Sequence, residues 1–311
     1  MQVDNGGYQS PTPWDDPTWR QDVLDWIASR LGREVDLDGL MVRLRPWSVV
    51  IRIPTPEAGP IWFKANPPSS AFEPALMAAL GEWTPEHVLH PIAVDPARSF
   101  SLLPDGGALM TAPAATSWIA PLQQYAELQR SLSPYADDLL RIGVPDLRPE
   151  VIMVRFDELV EEVVGDNRIA DVEAMRPRIA DWVDELAGSG IAATLDHSDL
   201  HESQIFQPRG GRYAFFDWGD ASVGHPFTTL LVPLRNIREA FGADAARSAR
   251  DAYLDGWPGD RDKLRRVAHI ACRLGPISRS LSWMRIFIGE RAPVHDYVSG
   301  WLRVLLDEPP I

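Results

Sequence analysis

Apolar residues recur along this chain with two different periods, and the change of period divides it. Trp19, Val23, Trp26, Ile27 and Leu31 fall on one face of a helix. Asp16 suits the cap of that helix, Pro17 its first position and Gly32 its stop. The dozen residues at the start are polar and turn-rich, an end expected to fray. Past Gly32 the pattern becomes β-branched and short. Residues 40–45, 48–53 and 61–65 read as a meander of antiparallel strands, with a Pro-rich turn over 54–60. An Ala/Leu-rich helix is expected over 72–80, and two more strands over 92–94 and 100–103.

The turn signal Pro104-Asp105-Gly106-Gly107 closes this part. Helix-period runs then cover 122–132, 150–164 and 172–186. A strand pair is expected at 204–207 and 213–217, joined by Arg209-Gly210-Gly211, and about four helices fill 227–306. The reading is an α+β chain with a small antiparallel-sheet N-lobe, residues 1–105, and a larger, mostly helical C-lobe, residues 106–311.

Composition narrows the function. Hydrophobic residues make up 45 % and charged residues 24 %, values of a globular protein. The net charge of −14 repels a phosphate backbone, so no nucleic-acid partner is expected. The single cysteine, Cys272, excludes an internal disulfide and a Cys-rich zinc site, and reads as a buried small residue. Trp118, Trp283 and Trp301 are read as core. No apolar run approaches the ~20 residues of a membrane helix, and no leader pattern opens the sequence. A cytoplasmic protein with no membrane partner is therefore expected. Of the 30 basic residues only Lys64 and Lys263 are lysines, which makes a lysine in a predicted strand informative.

The densest polar cluster is Asp196-His197-Ser198-Asp199-Leu200-His201-Glu202-Ser203-Gln204, and Asp217-Trp218-Gly219-Asp220 follows the hydrophobic run 213–216. A loop and a strand end at this spacing can bring Asp199, Gln204 and Asp217 together. Two carboxylates and an amide oxygen are hard donors suited to Mg²⁺, with one carboxylate left over as a base.

This block resembles the catalytic loop of the aminoglycoside phosphotransferase and choline kinase superfamily, usually His-Gly-Asp-x-His-x-x-Asn, and Asp217-Trp218 resembles its metal-binding segment. The resemblance implies a bilobal protein-kinase-like fold. It implies transfer of the γ-phosphoryl of ATP or GTP to a hydroxyl of a small molecule, with Mg²⁺. Asp199 matches the catalytic aspartate, and Asp217 and Gln204 the metal ligands. Lys64 matches the strand lysine that meets the nucleotide phosphates, and Glu73 the helix glutamate that pairs with it. Leu102, Leu103, Pro104 and Asp105 match the hinge that meets the base. His197 and His201 hold the loop, and Asp220 lies near the metal or the substrate. Three positions depart from the pattern: Gln204 replaces Asn, Ser198 replaces Gly, and Arg45-Pro46-Trp47-Ser48 stands where a Gly-rich loop can occur. The excess of acid suits an amine-bearing acceptor such as an aminoglycoside or amino sugar. Two other readings stand beside this one. One is a catalytically weak nucleotide-binding relative. The other is a metallohydrolase using His197, Asp199, His201, Asp217 and His225.

Overall fold

Asp16 opens the first helix as its pattern dictates. Its carboxylate accepts from the Thr18 N–H at 2.8 Å, Pro17 takes the first position, and Gly32, at φ 65°, ends the helix. The computed structural model describes residues 1–8, 12–55, 59–286 and 291–311, with side chains in the last segment from 295 onward. The chain divides into two units, Met1–Ala108 and Leu109–Ile311.

The first unit holds β1 (Gln2–Asp4), α1 (Pro17–Leu31), β2 (Met41–Arg45), β3 (Ser48–Ile53), β4 (Ile61–Ala65), α2 (Glu73–Trp83), β5 (Ala93–Asp95) and β6 (Phe100–Leu103). Its sheet runs β1-β2-β3-β4-β6-β5. All pairs are antiparallel except β1 with β2. The parallel edge corrects the expectation of a frayed start. Backbone pairing asks nothing apolar of Gln2–Asp4: Gln2 N donates to Leu40 O at 2.8 Å, and the Asp4 carboxylate meets Arg45 at 2.9 Å. The core of this unit lies between α1 and the sheet, where Trp26, Phe63 and Phe100 meet edge to face with centroids 5.1–5.9 Å apart.

The second unit holds α3 (Ile119–Leu132), α4 (Ala136–Ile142), β7 (Asp146–Leu147), α5 (Pro149–Glu162), α6 (Ala170–Ala174), α7 (Arg176–Ala187), β8 (Thr194–Asp196), β9 (Ile205–Arg209), β10 (Arg212–Phe215), β11 (Ser222–Gly224), α8 (Leu231–Phe241), α9 (Ala243–Leu254), α10 (Arg261–Ile286) and α11 (Arg291–Arg303). The run expected as one helix over 172–186 is two, because Pro177 restarts the helix after Met175. β9 and β10 form the expected hairpin. A three-stranded sheet, β7-β11-β8, was not signalled by the sequence. Its strands are two or three residues long and show no period. They position the polar segments, since β8 leads into the Asp199 loop and pairs Asp196 with Ser222, just past the Asp217 turn. Helix α10 packs against α5, α7, α8 and α11 and carries Pro276 inside it. Among the described residues no helix is long and apolar enough to cross a membrane.

Candidate active site

The loop after β8 is tied at its root. Asp196 is buried; one oxygen accepts from Ser198 N at 2.9 Å, the other from Thr228 Oγ1 at 2.8 Å. Burial pushes its carboxyl above the usual range. His197 N donates to Tyr125 Oη at 3.0 Å. The His197 ring lies against Trp218 and places Nε2 2.9 Å from Phe216 O. Gln204 O accepts from Phe216 N at 3.1 Å. The loop and the Asp217 segment therefore fold onto each other through the His197 ring and one backbone bond. Ser198 and Asp217 both take left-handed conformations, φ 63° and 66°. That costs a non-glycine residue about 1–2 kcal/mol each, strain of the kind that collects at functional sites. Ser198 thus occupies a position that favours glycine.

Asp199 stands next to Ser198. Its Oδ1 lies 3.0 Å from Nη2 of Arg279, and its Oδ2 accepts from Gln204 Nε2 at 3.5 Å, with His201 Nε2 3.9 Å away. Arg279, only 5 % exposed, reaches Asp220 Oδ2 with its other arm at 3.3 Å. Burial raises the Asp199 carboxyl above the usual carboxylate range; Arg279 opposes this and Asp220 reinforces it. A raised carboxyl is closer to what a general base needs at neutral pH. His201 caps the short turn Glu202–Gln204, its Nδ1 accepting from Ser203 N at 3.3 Å. Gln204 is buried, and its Oε1 has no hydrogen-bond partner among the described residues. An orphaned buried oxygen is costly unless something is there to meet it. An amide oxygen of this kind is a hard donor of the sort that Mg²⁺ takes.

In the first unit, Lys64 on β4 meets Glu73 at the start of α2, with Nζ 2.6 Å from Oε2 and 2.9 Å from Oε1. Glu73 is fully buried. Asn66 Nδ2 also donates to Glu73 Oε2 and, at 3.2 Å, to Ser70 Oγ. Leu102 and Leu103 end β6. The Leu102 carbonyl is engaged by Ile92 N at 2.7 Å, and Pro104 and Asp105 follow the strand. Asp105 Oδ1 accepts from Gly107 N.

Arg279 and Asn66 join these polar networks without belonging to any motif in the sequence. An arginine in a helix reads as solvated, and its partner Asp199 lies 80 positions away. The usable signal was the run Ser278-Arg279-Ser280 inside a stretch otherwise apolar enough to be core. The metallohydrolase set does not assemble. His225 is capping Phe227 N, and burial pushes its imidazole down to about 3. The ligand atoms of His197, Asp199, His201, Asp217 and His225 form no three-residue cluster among the described residues. Trp118 is buried, whereas Trp283 is half-buried and stacked on Tyr297 at 4.1 Å, and Trp301 is half-buried beneath Arg235 and Arg279. Cys272 is buried, as expected.

No curated protein sequence matches the chain. Solved structures do. The macrolide 2'-phosphotransferase of Brachybacterium faecium aligns with TM-score 0.61 at 18 % identity, over 92 % of this chain and 98 % of its own. The choline kinase of Streptococcus pneumoniae aligns with TM-score 0.62 at 13 % identity, over 93 % and 98 %. The GDP and kanamycin complex of APH(2")-IIia gives 0.60 at 15 %, over 92 % and 97 %. At these identities the likeness is one of fold, the α+β protein-kinase-like fold. Residues 67–265, well over half of the chain and including both polar segments, match the model of the phosphotransferase enzyme family (APH), so the chain belongs to that family.

Proposed function

We propose that this protein is a small-molecule kinase that moves the γ-phosphoryl group of ATP or GTP onto a hydroxyl of a small acceptor, with Mg²⁺. The observation that carries the reading is the Asp199 carboxylate, with one oxygen held by Arg279 and the other turned toward Gln204. The acceptor hydroxyl gives its proton to Oδ2 of Asp199. Its oxygen bonds to the γ-phosphorus as the bond to the bridging oxygen breaks, and the nucleoside diphosphate leaves. Base assistance of this kind is worth about 10²–10⁴ in rate. Gln204 Oε1 and the Asp217 carboxylate would hold Mg²⁺, which when bound neutralises phosphate charge. Lys64, fixed by Glu73, meets the phosphates, and the backbone of residues 103–105 meets the base. Nucleoside triphosphates as co-substrates fit a cytoplasmic setting.

The chain's excess of acid favours an amine-bearing acceptor. Asp199 and Asp220 both face Arg279, however, so neither is a lone carboxylate for an ammonium, and an amine would be held by other groups. Phosphate transfer from MgATP and MgGTP to choline and kanamycin, in the native chain and in Asp199→Asn, tests the reading. Transfer lost in the variant with nucleotide binding retained supports it. Nucleotide binding without any turnover in the native chain moves the assignment to a binding protein.

A further inference from the structure

Two consecutive residues of α10 meet two consecutive residues of the catalytic loop. Ser278 Oγ lies 2.8 Å from Ser198 Oγ, and Arg279 Nη2 lies 3.0 Å from Asp199 Oδ1. The guanidinium is itself fixed from two further directions. Asp220, from the turn after β10, accepts from Nη1 at 3.3 Å, and the Trp301 ring of α11 lies 5.4 Å from its central carbon. With Asp199 at Nη2, the guanidinium is braced by three elements and is almost wholly buried. Such a fork cannot swing without leaving a buried charge uncompensated. It takes Oδ1 of Asp199 out of play and leaves Oδ2 as the oxygen that faces Gln204.

We propose that Arg279 is the positioning residue of the reaction: it fixes the Asp199 carboxylate so that one defined oxygen faces the acceptor hydroxyl. Arg279 touches neither nucleotide nor acceptor in this role. The inference rests on the reading of Asp199 as the base and adds to it which oxygen works and what aims it. A lysine at 279 supplies the charge to Asp199 but not the planar fork that also holds Asp220, so it restores the aim only in part.

Two measurements on the full chain decide it. The first is a melting cycle at one pH with Arg279→Gln, Asp199→Asn and the double variant. A direct pair makes the change in the double variant differ from the sum of the two single changes by roughly 2 °C or more. Additive losses overturn the proposal. The second is ADP release from MgATP with water as acceptor, at high protein concentration. Arg279→Gln lowers kcat about 10²-fold, the scale of a misplaced reacting group, leaves KM for MgATP within about twofold because ground-state binding is untouched, and Arg279→Lys recovers at least part of the loss. An unchanged kcat in Arg279→Gln overturns the proposal while leaving the base assignment intact. Full turnover in Asp199→Asn removes the base assignment itself, a result distinct from the other two. If Arg279→Gln fails to fold, Arg279→Lys and Asp199→Asn carry both measurements.

Discussion

The hydroxyl of Ser198 lies 2.8 Å from that of Ser278, joining the loop before Asp199 to α10. The same hydroxyl reaches Asp196 Oδ2 and Ser222 Oγ, each at 3.3 Å. Ser198 is held at φ 63°, where a glycine carries no strain. The two effects oppose each other. Ser198→Gly loses the hydroxyl bonds, each worth about 0.5–1.5 kcal/mol net, but relieves about 1–2 kcal/mol of backbone strain. Ser198→Ala loses the same bonds and keeps the strain. Chemical unfolding should find both variants less stable than the native chain, with Ser198→Ala less stable than Ser198→Gly by about 1–2 kcal/mol. Equal stability of the two variants contradicts the strained geometry.

The Lys64–Glu73 pair makes a separate claim about the first unit. Glu73 is fully buried and the Lys64 side chain is 12 % exposed. Removing one partner of such a pair typically costs about 3–5 kcal/mol, while replacing both with apolar residues is often neutral. Glu73→Ala should therefore destabilise strongly, and Lys64→Met with Glu73→Leu should recover most of the stability. Nucleotide binding, measured by calorimetry, should stay lost in the double variant. A double variant that binds as tightly as the native chain removes Lys64 from the phosphate role.

Asp166 ties the start of α6 to α11. It accepts from Ser299 Oγ at 2.6 Å and from the Arg168 guanidinium at 2.7–2.9 Å. These donors, Arg168 first, hold its carboxyl well below the usual carboxylate range. A carboxyl depressed in the folded state stabilises above its unfolded value and loses that contribution as the pH falls through the folded one. Asp166→Asn should lower the melting temperature at pH 7, and the deficit should shrink as the pH drops below about 4. A deficit that is constant from pH 7 to pH 3 contradicts the assigned ion pair.

Gln204 is the proposed amide ligand of the metal. Its Oε1 is buried without a partner among the described residues, although its stem is one methylene longer than the asparagine of the related pattern. Gln204→Ala should weaken the magnesium dependence of nucleotide binding by about tenfold or more, the scale for a group that holds or orients a metal, and Gln204→Asn should keep it. Magnesium titrations that both variants leave unchanged remove Gln204 from the ligand set.

What the sequence made legible followed local signals. Asp16, Pro17 and Gly32 bound α1 because caps act over two or three residues, and β2, β3, β4 and β6 showed because each is long enough to carry a pattern. The Asp199 and Asp217 segments stood out as polar clusters beside an apolar hairpin. Contacts between distant stretches stayed hidden. β8 and β11 are three residues each and exist only because they pair across 26 to 30 positions. β1 is three exposed residues, held by backbone bonds to a strand nearly 40 residues on. Arg279 is fixed by Asp199 and Asp220, neither of which lies near it in the chain.

The most direct test of the account is the melting temperature with ATP and with GTP, each with and without Mg²⁺, in the native chain and in Asp217→Ala. A ligand at about 100-fold its Kd should raise the melting temperature by roughly 3–8 °C. A small-molecule kinase site of this kind gives a shift with at least one nucleotide that requires Mg²⁺ and disappears in Asp217→Ala. No shift with either nucleotide at millimolar concentrations, or a shift that Asp217→Ala leaves intact, contradicts it.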